Sequence, residues 1–139
     1  MITDDYYSQP VMKKIWVNGC FDILHIGHIR LINYARGLGD YLTVGIDSDD
    51  RVMKLKGPDR PFNNEDLRRE FLLSLSSVDS VVIFKDESEL IQNIKNHDLI
   101  VVGREYEERG VIGSDFCQVV FFDRIGDYST TNLLSNKRQ

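Results

Sequence analysis

Two histidines, His25 and His28, stand three residues apart where an apolar run gives way to a helical pattern. Gly27, between them, lets a ligand approach the backbone closely. The free N–H groups and the dipole of a helix start favour phosphate, and imidazoles there can donate to phosphate oxygens and stabilise charge that grows in a transition state. Asp22, just before them, can fix the loop by accepting backbone N–H bonds. The stretch therefore predicts a site for a phosphorylated ligand.

A His-x-x-His pair is also found in metal sites. Zinc, however, takes further histidine or cysteine ligands. The third histidine of the sequence, His97, is distant in the chain, and Cys20 has no obvious partner. We therefore favour phosphate binding over a zinc site for this pair.

Short apolar runs alternate with helical patterns from Lys14 onward. Runs rich in Val, Ile and aromatic residues predict five buried strands, at residues 15–17, 41–46, 81–84, 99–102 and 119–122. Helical spacing predicts a first helix over residues 29–38 with Gly39 as its C-cap. A second helix is expected from Asn63 or Asn64 to Leu75, and two more over residues 87–96 and 130–137.

Strands that alternate with helices and read as continuous apolar runs predict a parallel sheet covered on both faces. Right-handed crossovers then give a doubly wound α/β domain. Ligands of such sheets bind beyond the carboxyl ends of the strands, where the strand order reverses. We expect that edge to carry residues 18–28, 47–60, 103–106 and 124–131.

Composition and charge limit the classes of function. The 139 residues are 42% apolar and 28% charged, which indicates a globular chain with one core. We assign residues 1–12 to a polar leader arm and residues 13–139 to a single domain. The net charge of −5 disfavours a general nucleic-acid binder. Two cysteines, Cys20 and Cys117, are too few for a disulfide framework.

The apolar runs are only a few residues long, so we predict no membrane span. The N-terminus is polar and acidic and does not read as a signal peptide. With no targeting signal in the sequence, we expect a cytoplasmic location.

The string Gly19-x-Phe21-Asp22-x-x-His25-x-Gly27-His28 resembles the signature of the cytidylyltransferase-like nucleotidyltransferase superfamily. The resemblance extends over residues 14–135 and includes four further motifs. They are Lys54-Leu55-Lys56-Gly57-x-x-Arg60-Pro61-x-Asn63, then Arg68, then Gly103-Arg104-Glu105-Tyr106, and finally Ser129-Thr130-Thr131 at a helix start. Glu105 replaces the usual Asp, and Cys20 replaces a more usual Val or Thr.

This resemblance implies an α/β fold with a doubly wound five-stranded parallel sheet, the Rossmann-like nucleotidyltransferase fold. It also implies an enzyme that joins the α-phosphate of a nucleoside triphosphate to a small phosphorylated metabolite and releases pyrophosphate. His25, His28 and Lys56 would be its catalytic residues. The nucleotide would contact Asn18, Gly19, Cys20, Phe21, Asp22, Gly27, Gly103, Glu105, Tyr106, Arg124, Ser129 and Thr130.

The acceptor's phosphate would contact Lys54, Arg60 and Arg68. Mg²⁺ would be held mainly by phosphate oxygens and water, with Asp22 as the carboxylate that could orient it. Related enzymes often form dimers, so the resemblance also implies a homodimer.

Two branches of the superfamily compete. The Leu-Lys-Gly-x-x-Arg-Pro-x-Asn run, Ile112-Gly113-Ser114 and Ser-Thr-Thr-Asn resemble D-glycero-β-D-manno-heptose 1-phosphate adenylyltransferases, which make ADP-heptose from ATP. Arg124, five residues before Ser129, is closer to glycerol-3-phosphate cytidylyltransferases, which use CTP. We favour the heptose branch.

Other interpretations apply to each motif taken alone. The basic run 54–69 is typical of a solvated face, and Ser129-Thr130-Thr131 is typical of an N-cap. A catalytically inactive nucleotide-binding module would not need His25, His28 and Lys56 together. An FMN- or NAD-binding protein would show Gly-x-Gly-x-x-Gly after the first strand, and this chain does not. The prediction of an enzyme therefore depends on the motifs converging at one edge.

Overall fold

A computed structural model describes residues 12–123 of the chain. Its strands are β1 (Lys14–Gly19), β2 (Tyr41–Asp47), β3 (Ser80–Phe84), β4 (Leu99–Gly103) and β5 (Gln118–Phe122). They form a parallel sheet in the order β3-β2-β1-β4-β5. The helices are α1 (Ile26–Arg36), α2 (Asp49–Lys56), α3 (Glu65–Leu73) and α4 (Glu87–Ile94). The predicted α/β fold with a five-stranded parallel sheet is confirmed.

Alternate residues of β1 face opposite sides of the sheet. Ile15 and Val17 lie in one apolar core with α1 and α3, whereas Trp16 lies in a second core with α4. The helical members of these cores are Ile32, Ala35 and Leu72 in the first and Leu90 and Ile94 in the second. Helices therefore cover both faces of the sheet, as a doubly wound fold requires.

The ends of two helices show which predicted caps are used. α1 ends at Arg36 and its C-cap is Gly37, so the prediction that Gly39 caps this helix is wrong. A Cβ atom at Gly39 would lie 2.7 Å from the side chain of Ile15, so close packing explains this glycine. At the start of α3, the side chain of Asn64 accepts a hydrogen bond from the N–H of Leu67. Asn64 is therefore the cap.

Helix α2 occupies a segment in which the sequence pattern predicted a basic motif but no helix. Ser48 caps its start by accepting a hydrogen bond from the N–H of Arg51 at 3.2 Å. Val52 is buried, which fixes the helix to the molecule. The helix ends at Lys56, and Gly57 then adopts a φ of 112°, which favours glycine. A short helix rather than a loop thus sets where Lys56 lies.

The sheet opens between β1 and β4. These strands pair at Ile15 with Leu99 and at Trp16 with Ile100, whereas β1 and β2 pair over six residues. Both β1 and β4 continue for three residues beyond their last pair. The strand order also reverses here, because β2 lies on one side of β1 and β4 on the other. The separation leaves a crevice at the place where such sheets bind ligands.

The remaining predicted segments lie mostly beyond this structure. Of the leader arm (residues 1–12), the structure describes Met12, which is exposed. The helix predicted over residues 130–137 lies outside the described residues. Within residues 12–123, no helix is long and apolar enough to cross a membrane.

Candidate active site

A cavity of about 660 Å³ fills the crevice beyond the carboxyl ends of β1 and β4. The predicted site residues that line it are Asn18, Gly19, Cys20, Phe21, Asp22, His25, Gly27, His28, Lys56, Arg60, Gly103, Glu105 and Tyr106. The structure thus brings together three of the four predicted stretches, those that follow β1, β2 and β4. The fourth stretch carries Arg124, Ser129 and Thr130, which lie outside the described residues.

The two histidines form the cap of α1. His25 is the N-cap residue, and its Nδ1 accepts a hydrogen bond from the N–H of Gly27 at 3.1 Å. In return, Nδ1 of His28 accepts one from the N–H of His25 at 3.3 Å. The two rings stack with centroids 3.7 Å apart. Because both Nδ1 atoms accept hydrogen bonds, each ring carries its proton on Nε2.

Phe21 shapes the turn that leads to these histidines. Its backbone has a φ of 49°, which is uncommon outside glycine. Its ring is buried and meets the ring of His28 edge-on, with centroids 5.1 Å apart. A Cβ atom at Gly19 would lie 3.1 Å from the Phe21 ring, so the glycine makes room for it. Phe21 therefore packs against one ring of the histidine pair, that of His28.

Asp22 joins the histidine loop to the loop before α3. One carboxylate oxygen accepts from the N–H of Phe62 at 2.9 Å and from Nε of Arg60 at 3.0 Å. The other accepts from the N–H of Asn63 at 2.9 Å, and the Asn63 amide donates to the Asp22 carbonyl at 2.6 Å. The prediction that Asp22 fixes its loop by accepting backbone N–H bonds is confirmed.

The same contacts decide how Asp22 can act. Burial raises the pKa of its carboxyl, but the N–H groups of Asn63 and Phe62 and the side chain of Arg60 together lower it below the usual value. The carboxylate is thus ionised and its side chain is 2% exposed. Both oxygens accept hydrogen bonds from the loop before α3, so anchoring that loop accounts for the position of the Asp22 side chain. Among residues 12–123, no cluster of three or more His, Cys, Asp or Glu side chains could hold a metal ion.

Two cations, Lys56 and Arg60, reach the cavity from the segment after β2. Lys56 is the last residue of α2 and is exposed. Arg60 is held between the Asp22 carboxylate and the ring of Phe62, whose centroid is 4.9 Å from the guanidinium carbon. One exposed ammonium group and one guanidinium group held by Asp22 therefore line the same cavity as the histidine pair.

Two predicted phosphate contacts, Lys54 and Arg68, are not among the residues that line the cavity. Lys54 lies on the exposed surface of α2. Arg68 is fully buried, and its guanidinium group donates hydrogen bonds to Cys20, Asp47, Asp49 and Asn63. The prediction of a phosphate contact for Arg68 is wrong, because its donors are directed at protein acceptors.

The segment after β4 closes the opposite side of the cavity. Gly103, Glu105 and Tyr106 line it, and so do Arg109 and residues 110–112, which were not predicted as site residues. The guanidinium carbon of Arg109 lies 5.3 Å from the centroid of the Tyr106 ring. Gly110 has a φ of 81°, which indicates a turn that brings this segment back over the crevice. The sequence signal for this turn is Arg109-Gly110, a cation three residues after Tyr106 followed by a glycine.

Cys20 and Asn18 complete the wall nearest to β1. Burial raises the pKa of the Cys20 thiol, and the charges of Lys56 and Arg68 offset this only in part. The thiol is therefore protonated at neutral pH. The side-chain oxygen of Asn18 accepts a hydrogen bond from Nε1 of Trp16 at 2.8 Å. Both residues line the cavity, and their contact with the nucleotide stays a prediction.

The sequence of this chain matches a known protein family. The sequence model described as cytidylyltransferase-like matches residues 16–116, which is more than half of the chain. The chain belongs to the cytidylyltransferase-like family. The family match covers the histidine cap, Lys56, Arg60 and the segment after β4, and the resemblance to this family is confirmed.

The chain is also similar to individual proteins. It is 46% identical over 125 residues to the bifunctional protein HldE of Aliarcobacter butzleri, covering 88% of this chain and 26% of that protein. It is 43% identical over 131 residues to HldE of Sulfurimonas denitrificans, covering 92% of this chain and 27% of that protein. The chain thus spans about a quarter of the length of these relatives.

A solved structure gives a match over a whole chain. The lipopolysaccharide core biosynthesis protein from Thermoplasma volcanium is 27% identical, with a TM-score of 0.65. The match covers 86% of this chain and 100% of that one.

Proposed function

We propose that the chain transfers a nucleoside monophosphate from ATP to a sugar 1-phosphate of the heptose type, releases pyrophosphate and yields an ADP-sugar. One observation carries this proposal: the histidine-capped start of α1, Lys56 and Arg60 all face one cavity at the switch point of the sheet. Such a set of donors and cations fits a triphosphate and a second phosphate better than it fits a neutral ligand.

The relatives support the heptose branch. Their similarity to this chain supports ADP-heptose synthesis by an adenylyltransferase. The solved protein from Thermoplasma volcanium is named for lipopolysaccharide core biosynthesis, which fits a carbohydrate acceptor. The glycerol-3-phosphate cytidylyltransferase alternative depends on Arg124, which lies outside the described residues. We therefore place ATP and a heptose-type acceptor first.

The reaction we propose is an in-line displacement at the α-phosphorus of ATP. An oxygen of the acceptor's phosphate forms a new bond to that phosphorus while the bond to the bridging oxygen of the β-phosphate breaks. The electron pair leaves with pyrophosphate. Since the attacking oxygen is already ionised at neutral pH, no side chain has to remove a proton. The enzyme's task is to position two anions and to stabilise their charge.

Each group of the cavity has a role in that task. The Nε2–H groups of His25 and His28 would donate to phosphate oxygens near the reacting phosphorus, together with the amides of the α1 N-terminus. Lys56 would bridge the acceptor's phosphate and the triphosphate, and Arg60 would add a fixed charge beside it. Ser129 and Thr130 stay predicted contacts of the β- and γ-phosphates.

Mg²⁺ enters this scheme with the nucleotide. The Asp22 carboxylate serves the loop that it anchors, so we propose that the ion arrives as MgATP, bound by phosphate oxygens and water. Bound in this way, it would neutralise the triphosphate and the departing pyrophosphate. Gly103, Glu105 and Tyr106 lie on the other side of the cavity and would contact the nucleoside. Homodimer formation and a cytoplasmic location stay predictions.

The test is a pyrophosphate-release screen with Mg²⁺. ATP, CTP, GTP and UTP are each combined with heptose 1-phosphate and with glycerol 3-phosphate. We expect release with ATP and heptose 1-phosphate. His28→Ala should lower that rate by about 100- to 1000-fold, the usual cost of losing one transition-state donor. Near-normal turnover of this variant would remove His28 from the mechanism.

The other outcomes separate the alternatives. Turnover with CTP and glycerol 3-phosphate, but not with ATP, would select the cytidylyltransferase alternative. Binding of ATP without pyrophosphate release for any acceptor would indicate an inactive nucleotide-binding module. A folded protein that neither binds nor turns over any of the four nucleotides would contradict the proposed function.

A further inference from the structure

Arg68 is a fully buried cation in the first turn of α3, directly beneath the cavity wall. Its Nε donates to the carbonyl of Asn63 at 2.9 Å. One terminal nitrogen donates to the carbonyls of Cys20 at 3.0 Å and Asp47 at 2.8 Å, and the other to the Asp49 carboxylate at 2.8 Å. A single side chain therefore holds four acceptors.

Burying a charge costs free energy unless the charge is paired and its donors are satisfied. Arg68 meets both conditions, because Asp49 supplies an opposite charge and three carbonyls take further donors. The planar fork of a guanidinium group is suited to acceptors that diverge in this way, whereas an ammonium group is a point charge. The site therefore requires arginine specifically and not just any cation.

The four acceptors belong to segments that carry the catalytic groups. Cys20 begins the loop that leads to Asp22 and the histidines, and Asp47 ends β2. Asp49 is the first residue of α2, whose last residue is Lys56. Asn63 lies in the loop that Asp22 anchors. Arg68 thus hydrogen-bonds to three segments at once: the loop over residues 20–25 that contains His25, helix α2 that ends at Lys56, and the loop over residues 57–64 that contains Arg60.

We propose that Arg68 is a positioning residue for nucleotidyl transfer: it sets the register between the histidine cap of α1 and the cations Lys56 and Arg60. It does not touch the substrate, since its donors face protein acceptors. This inference rests on the proposed function. An error of about 1 Å between reacting groups can cost about 100-fold in rate, so a rigid tie between these segments affects catalysis and not just stability.

Two pairs of variants test the role. Arg68→Lys keeps a cation but loses the fork, and Arg69→Lys is its control, because Arg69 is exposed on the same helix. Asp49→Ala cuts the link to α2, and Asp50→Ala is its control, because both acids lie in the first turn of α2. The Asp49 side chain is 38% exposed, so in Asp49→Ala water can reach the Arg68 nitrogen that loses its partner, and this variant should fold even if the Arg68 variants do not.

We expect Arg68→Lys and Asp49→Ala to lower kcat by about 10- to 100-fold with a smaller change in KM, and both controls to stay within about twofold of the unmodified enzyme. Each variant is also combined with Lys56→Met. Because Arg68 acts through Lys56, the fold-loss of kcat in the double variant should be smaller than the product of the fold-losses in the two single variants. A purely structural role would give multiplicative losses. Losses that multiply, or kcat values equal to those of the controls, would overturn the proposal.

Hydrogen–deuterium exchange gives a readout that needs no turnover. In Arg68→Lys, amide exchange should rise in residues 20–25 and 49–64, the segments tied by Arg68, and stay unchanged in α4 on the other face of the sheet. Unchanged exchange in the tied segments would also contradict the role of Arg68. If the unmodified protein released no pyrophosphate at all, the proposed function would fail, while the exchange measurement would still test the tie.

Discussion

Each histidine of the candidate site has two ring nitrogens with separate tasks. The Nδ1 atoms of His25 and His28 accept backbone hydrogen bonds at the start of α1. The Nε2 atoms carry the protons that the proposed phosphate contacts require. Because one ring does both jobs, an alanine variant removes a helix cap and a catalytic donor together. Substitutions that copy one nitrogen at a time can separate the two.

Asn and Gln provide that separation at position 25. The Asn oxygen can take the place of Nδ1 as an N-cap acceptor, whereas the Gln amide reaches toward the position of Nε2–H. We expect His25→Asn to keep its stability but to lose turnover by about 100- to 1000-fold. We expect His25→Gln to lose about 1 kcal/mol of stability and to keep more of the turnover. Urea unfolding and pyrophosphate release measure the two effects.

The test compares His25→Asn with His25→Gln in turnover and in the free energy of unfolding. If His25→Asn were the more active and the less stable of the pair, the assignment of Nδ1 to the cap and Nε2 to the substrate would be wrong. The His28→Ala enzyme serves as the reference for full loss of a donor.

At the residue scale, the sequence predicts which side chains gather at the crevice better than it predicts which side chains are buried against backbone carbonyl groups. His25, His28 and Asp22 could be predicted because helix starts, glycines and carboxylates have known preferences. Arg68 was mistaken for a phosphate contact because its partners include three backbone carbonyls. Every residue has a carbonyl, so no residue type shows which ones converge on a buried guanidinium group.

At the element scale, the loop over residues 57–64 depends on Asp22 for its position. Asp22→Asn keeps the size of the side chain but places an NH₂ group opposite backbone N–H donors. We expect a loss of about 1–3 kcal/mol in the free energy of unfolding, the cost of leaving buried donors unsatisfied. We also expect faster proteolysis within residues 57–64, because the loop loses its anchor.

Asp59→Asn is the matched control, since Asp59 lies in the same loop and is exposed. It should change neither the urea midpoint nor the cleavage rate. Equal behaviour of the two variants would mean that other contacts hold this loop, and that the ionised Asp22 carboxylate is dispensable.

Strands and helices differed in how well their sequences predicted them. All five strands were predicted because buried parallel strands are continuous apolar runs. Helix α2 was missed because it is eight residues long and its apolar residues Met53 and Leu55 are exposed. Its start signal, Ser48 followed by two acids, was present in the sequence. Because the segment has no periodic apolar face, the Lys54-Leu55-Lys56-Gly57 pattern at its end was interpreted as a basic motif and the start signal was not used to predict a helix.

At the scale of the whole molecule, the two cores support the crevice in different ways. The core of α1 and α3 lies under the histidine cap and Arg68, so it supports the site directly. The core of α4 holds Trp16, whose ring leaves no room for a Cβ atom at Gly45 of β2. The sequence predicted that helices cover both faces of the sheet. It did not predict the strand order, because each apolar run is compatible with several neighbours.

His97 packs beside Trp16, with ring centroids 5.2 Å apart, and gives folding a pH dependence. Its Nδ1 donates to the carbonyl of Asn93 at 2.7 Å, so Nε2 accepts from the hydroxyl of Thr43 at 2.8 Å. Burial lowers the pKa of His97 and the Lys14 charge adds to this, while the Asn93 carbonyl and the Asp98 charge oppose it. The folded protein therefore holds this ring neutral at a pH where the unfolded chain protonates it.

The sign of the effect follows from linkage. The unfolded chain binds this proton near pH 6.5, whereas the folded protein binds it only at lower pH. Stability should be full above about pH 6.5, fall as the pH drops below that value, and level off once the folded ring is protonated too. The slope for one proton is at most about 1.4 kcal/mol per pH unit.

Urea unfolding at pH 7.5 and pH 5.5 tests this, with His97→Gln as the variant that cannot titrate at this position. His25 and His28 are present in both proteins, so the difference between them isolates His97. We expect the free energy of unfolding of the unmodified protein to fall more between the two pH values than that of the variant. The difference in the free energy of unfolding between the two proteins could instead be the same at both pH values, or could favour the unmodified protein more at pH 5.5. Either result would show that the folded protein does not hold His97 neutral.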